Sequence, residues 1–419
     1  MGYIIFHKDY PVIPVELNEG YKFKKLGNII NKERIPVGLD RKGTSMRDIE
    51  EWFFGRGIPA KRRELNAILD KTNSKNREEL IIKNMGLGLA DNYWMKKEDD
   101  ARKWKEINFF ENSFNEEGND IYMGKYSDND KYGQSITPNN VSSGNLPKIW
   151  IRENGILYMV KGSELQNYQE PFNEKIVSDY LKNLEIDHVE YNLIRYKERP
   201  HSKCANMLGK NEELVHSYYV IKTNNKDNRD LWLEHYIKCC KSLGLKGDIR
   251  KELDNMIIID YITANTDRHW SNFGIIRDSD TLQVKKLAPI YDNGAALFAK
   301  YATIDIKEAN KNLESRSFCK WQSDNMRLVK DFGILLNKNI YSLYGLIEKT
   351  FDKDFIEDKR KNEILYESKR RLDAALKRMK GIKNKIDYGK KNYVEKSNKI
   401  EKKQNPVIKK KNPDYGYDR

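Results

Sequence analysis

A short run of polar residues between two predictable elements limits the folds open to this chain. Apolar residues recur at helical spacing over 253–262, which predicts a buried helix that ends just before Asp267. Two short strands are predicted next, at 273–276 and 282–287, and the polar turn between them reverses the chain. The hairpin should therefore return the chain, with Asp292, to the loop that begins at Asp267.

Three side chains in this region have a spacing that suits phosphate chemistry. A carboxylate shortly before an Asn, with a second carboxylate beyond a hairpin, can orient a hydroxyl and hold Mg²⁺ against nucleotide phosphates. We assign Asp267 to the hydroxyl, and Asn272 and Asp292 to Mg²⁺. Asp and Asn also cap helices and turns, but capping explains each residue singly and not their joint spacing. We expect His269 to brace the loop, and Arg268 either to stabilise developing charge or to be an exposed brace.

An upstream hairpin supplies a candidate cation. The strands predicted at 148–152 and 156–161 flank an Asn-Gly pair that suits a type I′ turn. Lys161 ends the second strand, where kinases place the Lys that binds the α- and β-phosphates. Glu174 lies on the next predicted helix, which has Pro171 in its first turn, and could position Lys161. The alternatives are a solvated strand end for Lys161 and a helix-dipole partner for Glu174.

Two motifs here resemble known kinases. Asp-Arg-His-x-x-Asn at 267–272 resembles the catalytic loop of phosphatidylinositol 3- and 4-kinases and of the bacterial HipA-like serine/threonine kinases. Asp-Asn-Gly at 292–294 is similar to the Asp-Phe-Gly metal motif of protein kinases. No Gly-x-x-x-x-Gly-Lys-Ser/Thr or Gly-x-Gly-x-x-Gly sequence is present, which argues against Walker-type and dinucleotide-binding proteins.

The resemblance to HipA-like proteins extends over roughly residues 30 to 380. Leu-Ala-Asp-Asn-Tyr-Trp at 89–94 is similar to an element of clostridial-type HipA-like proteins, and Arg-Gly-Ile-Pro at 56–59 with Arg62 resembles a second element. We expect the Tyr and Trp of the first element to anchor the N-terminal segment on the rest of the protein. The resemblance implies an α+β, two-lobed, protein-kinase-like fold with an N-terminal accessory segment and a mainly helical C-terminal lobe.

The resemblance also implies cofactors and further site residues. ATP and Mg²⁺ are the implied cofactors, and the acceptor is a Ser or Thr of an unidentified protein. Gly-x-x-Pro-Lys at 144–148 resembles the loop that covers the phosphates in this family, which makes Ser142, Ser143 and Gly144 candidates for nucleotide binding. Family members can be silenced by autophosphorylation in this loop, although both serines also suit an ordinary turn. Residues 301–327 take the place of an activation segment.

Five segments are predicted along the chain. Residues 1–95 form the accessory segment, with one or two strands and short helices, and residues 96–128 form a charged connection that crosses the surface. A strand-rich N-lobe covers 129–208, with its end reaching the hinge between lobes, and a helical C-lobe covers 209–380. Residues 381–419 form a basic tail, which we expect to be disordered because it has few apolar residues.

The net charge of +14 does not by itself indicate a nucleic-acid-binding protein. Residues 380–419 contain 13 Lys and Arg against 5 Asp and Glu, so +8 of the charge lies at this end. Contact with nucleic acid is therefore expected only through the tail. No transmembrane-length apolar run or signal peptide is evident, and the four Cys lack metal-ligand spacing, which favours a cytoplasmic enzyme with free thiols.

The motifs also fit two other functions. A lipid kinase shares the catalytic-loop motif, although the N-terminal elements favour a protein kinase. A catalytically weak nucleotide-binding module is the second alternative. A separate antitoxin or regulator chain is a possible partner that this sequence does not identify.

Overall fold

The computed structural model describes residues 2–40, 44–116, 118–124 and 136–404. The end of the predicted connection, at 125–128, and the end of the basic tail, at 405–419, lie outside the described residues. The chain divides into two compact units, one ending at Lys369 and the other starting at Arg370.

The N-terminal segment is built around a four-stranded antiparallel sheet. Its strands are β1 (Gly2–His7), β2 (Tyr10–Leu17), β3 (Phe23–Leu26) and β4 (Tyr93–Lys97), in the order β3-β2-β1-β4. Between β3 and β4 lie α1 (Met46–Gly55), α2 (Leu65–Lys71) and α3 (Arg77–Lys83). Alternating buried positions in β1 face a core under α1, and Ser45 caps α1 in a capping box with Asp48. The sheet has more strands than the one or two that we predicted, because β4 pairs with β1 across a separation that local patterns do not reveal.

The Tyr-Trp element anchors this segment as predicted. Trp94, at the start of β4, is fully buried among Trp150, Leu157 and Phe109, and its Nε1 donates to the carbonyl of Lys8 at 2.6 Å.

The connection after β4 does not simply cross the surface. It contains two short helices, α4 (Trp104–Ile107) and α5 (Asn119–Tyr122). Phe109 and Asn108 between them are buried, which contradicts the surface location that we predicted. The acidic neighbours of Phe109 suggested exposure, but the ring fills the apolar cluster around Trp94.

A second antiparallel sheet carries the upstream hairpin. Its strands are β5 (Lys148–Glu153), β6 (Ile156–Lys161), β7 (Tyr191–Tyr196) and β8 (Arg199–Ala205), in the order β5-β6-β8-β7, and α6 (Gln169–Asn183) follows β6. Asn154 and Gly155 have φ values of 50° and 81°, as a type I′ turn requires. Residues 203–205, which we placed near the hinge, lie within β8.

A third, three-stranded sheet follows, with the remaining helices. Its strands are β9 (Glu212–His216), β10 (Gly274–Asp278) and β11 (Val284–Leu287), in the order β11-β10-β9. The helices are α7 (Ser217–Val220), α8 (Trp232–Ser242), α9 (Ile249–Ile262), α10 (Ile306–Ala309), α11 (Gln322–Leu328), α12 (Ser342–Thr350) and α13 (Asp358–Gln404). The predicted helix before Asp267 is α9, which starts earlier than predicted because Asp248 caps it. The last helix, α13, continues to Gln404 through residues that we assigned to a disordered tail, and its Lys and Glu residues have good helix propensity.

A buried polar network ties the N-terminal segment to the third sheet. Glu213 on β9 accepts hydrogen bonds from His7 Nε2 at 3.0 Å and from Arg277 Nε at 2.5 Å. Arg34 donates to His7 Nδ1 at 2.8 Å, so the His7 proton is on Nε2 and points to Glu213. Burial alone would raise the pKa of Glu213, but the Arg277 guanidinium holds it well below its usual range.

The four Cys are free, and three of them are buried. Across the part of the chain that the structure describes, no helix combines the length and apolar character needed to span a bilayer.

Candidate active site

A cleft of about 590 Å³ collects most of the predicted site residues. This volume is in the range of ordinary small-molecule sites. The predicted site residues in its lining are Ser143, Gly144, Lys161, Asp267, Asn272 and Asp292. The other two predicted site residues are buried: Glu174 accepts a hydrogen bond from Lys161, and Ser142 precedes Ser143 in the same loop.

Lys161 contacts two carboxylates at once. Its Nζ lies 3.0 Å from Glu174 Oε1 and 2.8 Å from Asp292 Oδ1, and it donates to the Tyr191 hydroxyl at 3.2 Å. Lys161 and Glu174 are both buried, so the alternatives of a solvated strand end and a simple helix-dipole partner do not describe them. Residues from β6, α6 and the segment after β11 therefore meet at one ammonium group.

The electrostatics of this cluster favour the charged forms of Lys161 and Asp292. Burial alone would lower the pKa of Lys161, but Asp292 and Glu174 raise it well above its ordinary value. Burial likewise opposes ionisation of Asp292, but Lys161 holds the pKa of this carboxyl well below its usual range. Burial raises the pKa of Glu174, and the charge of the Asp292 carboxylate beside the same ammonium adds to the rise.

Helix α6 is clamped to the Asp-Asn-Gly motif by buried amides. Glu174 Oε2 accepts from the backbone N–H of Asn293 at 2.8 Å. The side chain of Asn173 donates to the carbonyls of Gly294 at 2.8 Å and Ala296 at 2.7 Å. Asp292 itself has a φ of 60°, a conformation that a non-glycine residue adopts only when its surroundings hold it there. The clamp therefore fixes the direction in which the Asp292 carboxylate points.

The loop after α9 is held by its own polar groups. Asn272 Nδ2 donates to the carbonyl of Asp267 at 2.8 Å, and the N–H of Asp267 donates to Asn265 Oδ1 at 3.2 Å. His269 Nδ1 accepts from the N–H of Ser271 at 3.1 Å, which matches the bracing role predicted for His269. Burial lowers the pKa of His269, which suits a neutral acceptor.

Arg268 is a buried brace, not an exposed one. Its guanidinium donates to both oxygens of Asp260 at 3.0 and 3.1 Å and to Asn293 Oδ1 at 2.7 Å. It also donates to the carbonyls of Asn272 at 2.8 Å and Tyr291 at 2.6 Å. These bonds use all five donors, so Arg268 has none left for a transferred phosphoryl group. It instead joins the Asp267 loop to the Asp-Asn-Gly motif.

Two cations bind one oxygen of the Asp267 carboxylate. Oδ1 of Asp267 lies 3.2 Å from Lys300 Nζ and 2.8 Å from Arg316 Nη1. Both cations are at least half exposed and line the cleft. Sequence reasoning missed them because they lie 33 and 49 residues beyond Asp267.

Lys148, the last residue of the Gly-x-x-Pro-Lys motif, is a further site residue. The sequence alone did not assign it a role. It pairs with Lys161 across β5 and β6, lines the cleft and donates from Nζ to the carbonyl of Ser143 at 2.7 Å. Burial, reinforced by Lys161, lowers the pKa of Lys148 to about 7. Gly144 has a φ of 94°, which favours glycine, and a Cβ at this position would collide with Lys148 Nζ.

The residues assigned to Mg²⁺ offer a suitable donor set. Asp292 contributes a carboxylate, and the amide of Asn272, which donates through Nδ2, has its oxygen available as a ligand. Hard oxygen donors of this kind suit Mg²⁺, which is commonly held by one or two protein ligands with nucleotide phosphates and water. Among the described residues, no group of three or more His, Cys, Asp and Glu is placed to hold a metal ion.

The two elements near the N-terminus meet beside this cleft. Arg56 donates to Asp91 through Nε at 2.8 Å and Nη2 at 2.6 Å. The pair lines a second cavity of about 350 Å³, and Ser143, His216 and Ser271 line both cavities. The N-terminal segment thus forms one wall next to the candidate site.

The fold of the chain is similar to that of a solved HipA structure. No family model matches the sequence, and no curated protein matches it. Among solved structures, the HipA–HipB–operator DNA complex of the Shewanella oneidensis toxin–antitoxin system gives a TM-score of 0.51 at 11% identity, covering 88% of this chain and 97% of that chain. The Helicobacter pylori proinflammatory kinase CtkA gives a TM-score of 0.47 at 20% identity, covering 56% of this chain and 95% of that chain. The first of these likenesses shows that the chain shares the fold of HipA, the family that its motifs resemble.

Proposed function

We propose that this protein is a kinase that uses ATP and Mg²⁺ to phosphorylate a Ser or Thr of another protein. The observation that carries the proposal is that Lys161 binds Glu174 and Asp292 together, in a cleft that also presents Asp267 and Asn272. A cation for nucleotide phosphates, oxygen ligands for a metal and a carboxylate for an acceptor hydroxyl are the parts that phosphoryl transfer requires.

Each residue has a distinct task in this proposal. Lys161, positioned by Glu174, binds the α- and β-phosphates, and Asp292 and Asn272 bind Mg²⁺, which neutralises charge on the phosphates. The loop at 142–144 covers the nucleotide, with Lys148 holding it through the Ser143 carbonyl. We also propose a two-lobed arrangement, with the lobes at 129–208 and 209–380.

Asp267 orients the acceptor hydroxyl and accepts its proton. A carboxylate in this role must lie within hydrogen-bond reach of the hydroxyl as the phosphoryl group transfers. The loop bonds from Asn265 and Asn272 to the Asp267 backbone hold the side chain at the cleft. Asp267 has no bond to Lys161 in the structure, so its carboxylate is separate from the phosphate-binding cluster.

We also propose partners and a cellular location for this protein. A HipB chain and operator DNA accompany the Shewanella HipA structure, and we propose that a separate regulator chain acts on this protein as well. We propose that nucleic acid, if bound, contacts the basic C-terminal tail, and that the protein acts in the cytoplasm.

The direct test is incubation with labelled ATP and Mg²⁺, with and without cell extract, followed by phosphosite mapping. Phosphate on Ser or Thr is the expected result, and Asp267→Asn should lower the rate by orders of magnitude while nucleotide binding persists. Asp305→Asn is a matched control, because Asp305 is exposed and does not line the cleft. Equal rates for Asp267→Asn and the native protein would contradict the assignment, and labelling only of phosphoinositide vesicles would indicate a lipid kinase.

A further inference from the structure

We propose that Lys300 and Arg316 form an anion subsite beside the acceptor position, which selects a Ser or Thr flanked by an acidic group. This inference rests on the proposed kinase function and adds the class of acceptor. The relevant chemistry is a carboxylate or a phosphate on the acceptor polypeptide.

The position of the two cations carries the argument. Both contact the same oxygen of Asp267, at 3.2 and 2.8 Å, so both lie where an acceptor hydroxyl must approach. Among the described residues, neither cation has a second carboxylate partner within ion-pair distance, and both are at least half exposed. They are therefore free to exchange Asp267 for an anion that arrives with the acceptor.

The other cations of the site are committed elsewhere. Arg268 uses all its donors inside the protein, Lys161 binds Glu174 and Asp292, and Lys148 donates to the Ser143 carbonyl. No such internal role explains Lys300 and Arg316, which face the cleft from the segment after the Asp-Asn-Gly motif.

The exchange of Asp267 for an acceptor anion would also free the Asp267 carboxylate for the hydroxyl. While both cations bind Oδ1, they compete with an acceptor hydroxyl for the same oxygen. An anion on the acceptor would draw the cations aside and leave Asp267 to the hydroxyl. A basic residue at the same place would be repelled by two like charges.

The test uses synthetic acceptor peptides. The parent peptide has the sequence of residues 137–147, which contains two serines and no charged residue. A positional series then places Asp, phosphoserine or Arg at each other position, and kcat/KM is measured for each peptide with saturating Mg·ATP. We expect an Asp or phosphoserine peptide to exceed the parent by about tenfold, the size of two partly exposed ion pairs. The Asp and phosphoserine arms distinguish the two sources of negative charge.

Charge-reversal variants test whether Lys300 and Arg316 cause the preference for acidic peptides. Arg316→Glu and Lys300→Glu should each remove the acidic preference and raise the rate with Arg peptides relative to Asp peptides, whereas Arg316→Lys should keep the preference. Lys307→Glu is the matched control, because Lys307 is exposed on the same segment and does not line the cleft. The ratio of rates between peptides cancels any general loss of activity.

The outcomes separate this inference from the proposed function. Transfer to peptides without an acidic preference, or a preference that survives both charge reversals, would overturn the anion subsite and leave the kinase assignment in place. An equal change in Lys307→Glu would overturn it too, by showing a general charge effect. Absence of transfer to any peptide, to cell extract and to the protein itself would overturn both.

Discussion

Replacing Lys161 with methionine tests whether one ammonium group holds the site together. Methionine keeps most of the length of the side chain and removes the charge, which leaves Glu174 and Asp292 side by side without this cation. Removing one partner of a buried ion pair costs about 3–5 kcal/mol, because the remaining charge is uncompensated. At about 2.1 cal/mol/K per residue, over a unit that ends at Lys369, this loss corresponds to a fall in Tm of about 4–6 °C.

The pH dependence of this loss follows from the same contacts. In the native protein Lys161 depresses the pKa of Asp292, so the stability that Asp292 contributes is present above its unfolded pKa of about 3.9 and is lost only as pH falls through the lower folded pKa. In Lys161→Met, burial without the cation raises the folded pKa of both carboxyls, so the folded state takes up protons first. The destabilisation should therefore shrink as pH falls from about 8 to about 5.

Denaturation followed by circular dichroism at both pH values measures the free energy of unfolding. Lys175→Met is the matched control, because Lys175 lies next to Glu174 on α6 and forms a more exposed pair with Asp179 at 2.8 Å, of a kind worth about 0–1 kcal/mol. Equal losses in the two variants, or a loss in Lys161→Met that does not change with pH, would refute the role given to the cluster.

Three further predictions concern ligands, regulation and the tail. Asp292→Asn should weaken Mg·ATP binding measured by calorimetry, because a charged oxygen ligand is lost, and unchanged affinity would make Asp292 purely structural. Prolonged incubation with Mg·ATP should phosphorylate Ser142 or Ser143 and reduce activity, because a phosphate of about −1.5 to −2 charge repels the nucleotide. A variant with alanine at both positions should stay active. Labelling confined to other sites, with full activity, would contradict this prediction. Deleting residues 390–419 should spare folding and autophosphorylation, since that segment has few apolar residues, and a large fall in Tm would show that it contributes to the core.

Local patterns in the sequence predicted the elements that carry the site. The Asn-Gly pair predicted the β5–β6 hairpin with Lys161 at its end, and helical spacing predicted both α9 and the helix with Glu174. The spacing of Asp267, Asn272 and Asp292 predicted that they would share one cleft, which they do. These predictions succeeded because turn geometry and side-chain periodicity depend on neighbouring residues.

Contacts between distant segments were harder to predict. We expected Arg268 either to stabilise developing charge or to be an exposed brace. It is instead buried and makes five hydrogen bonds, because its partners come from α9 and from the segment after β11 as well as from its own loop. The surface location expected for Phe109 was wrong for the same kind of reason, since the apolar cluster that takes up its ring is assembled from three parts of the chain. Burial depends on what packs against a residue, and local composition does not specify it.

The sequence by itself determined which reactive side chains this protein carries and the order in which they occur. It also determined most of the strands, turns and helices that carry these side chains, because such elements depend on residue type and short spacing. Only the tertiary structure decided which charges meet. It placed Lys161 between two carboxylates and Lys300 and Arg316 on Asp267. Interaction between charges depends on distance and burial in space, and both arise only when remote segments pack together.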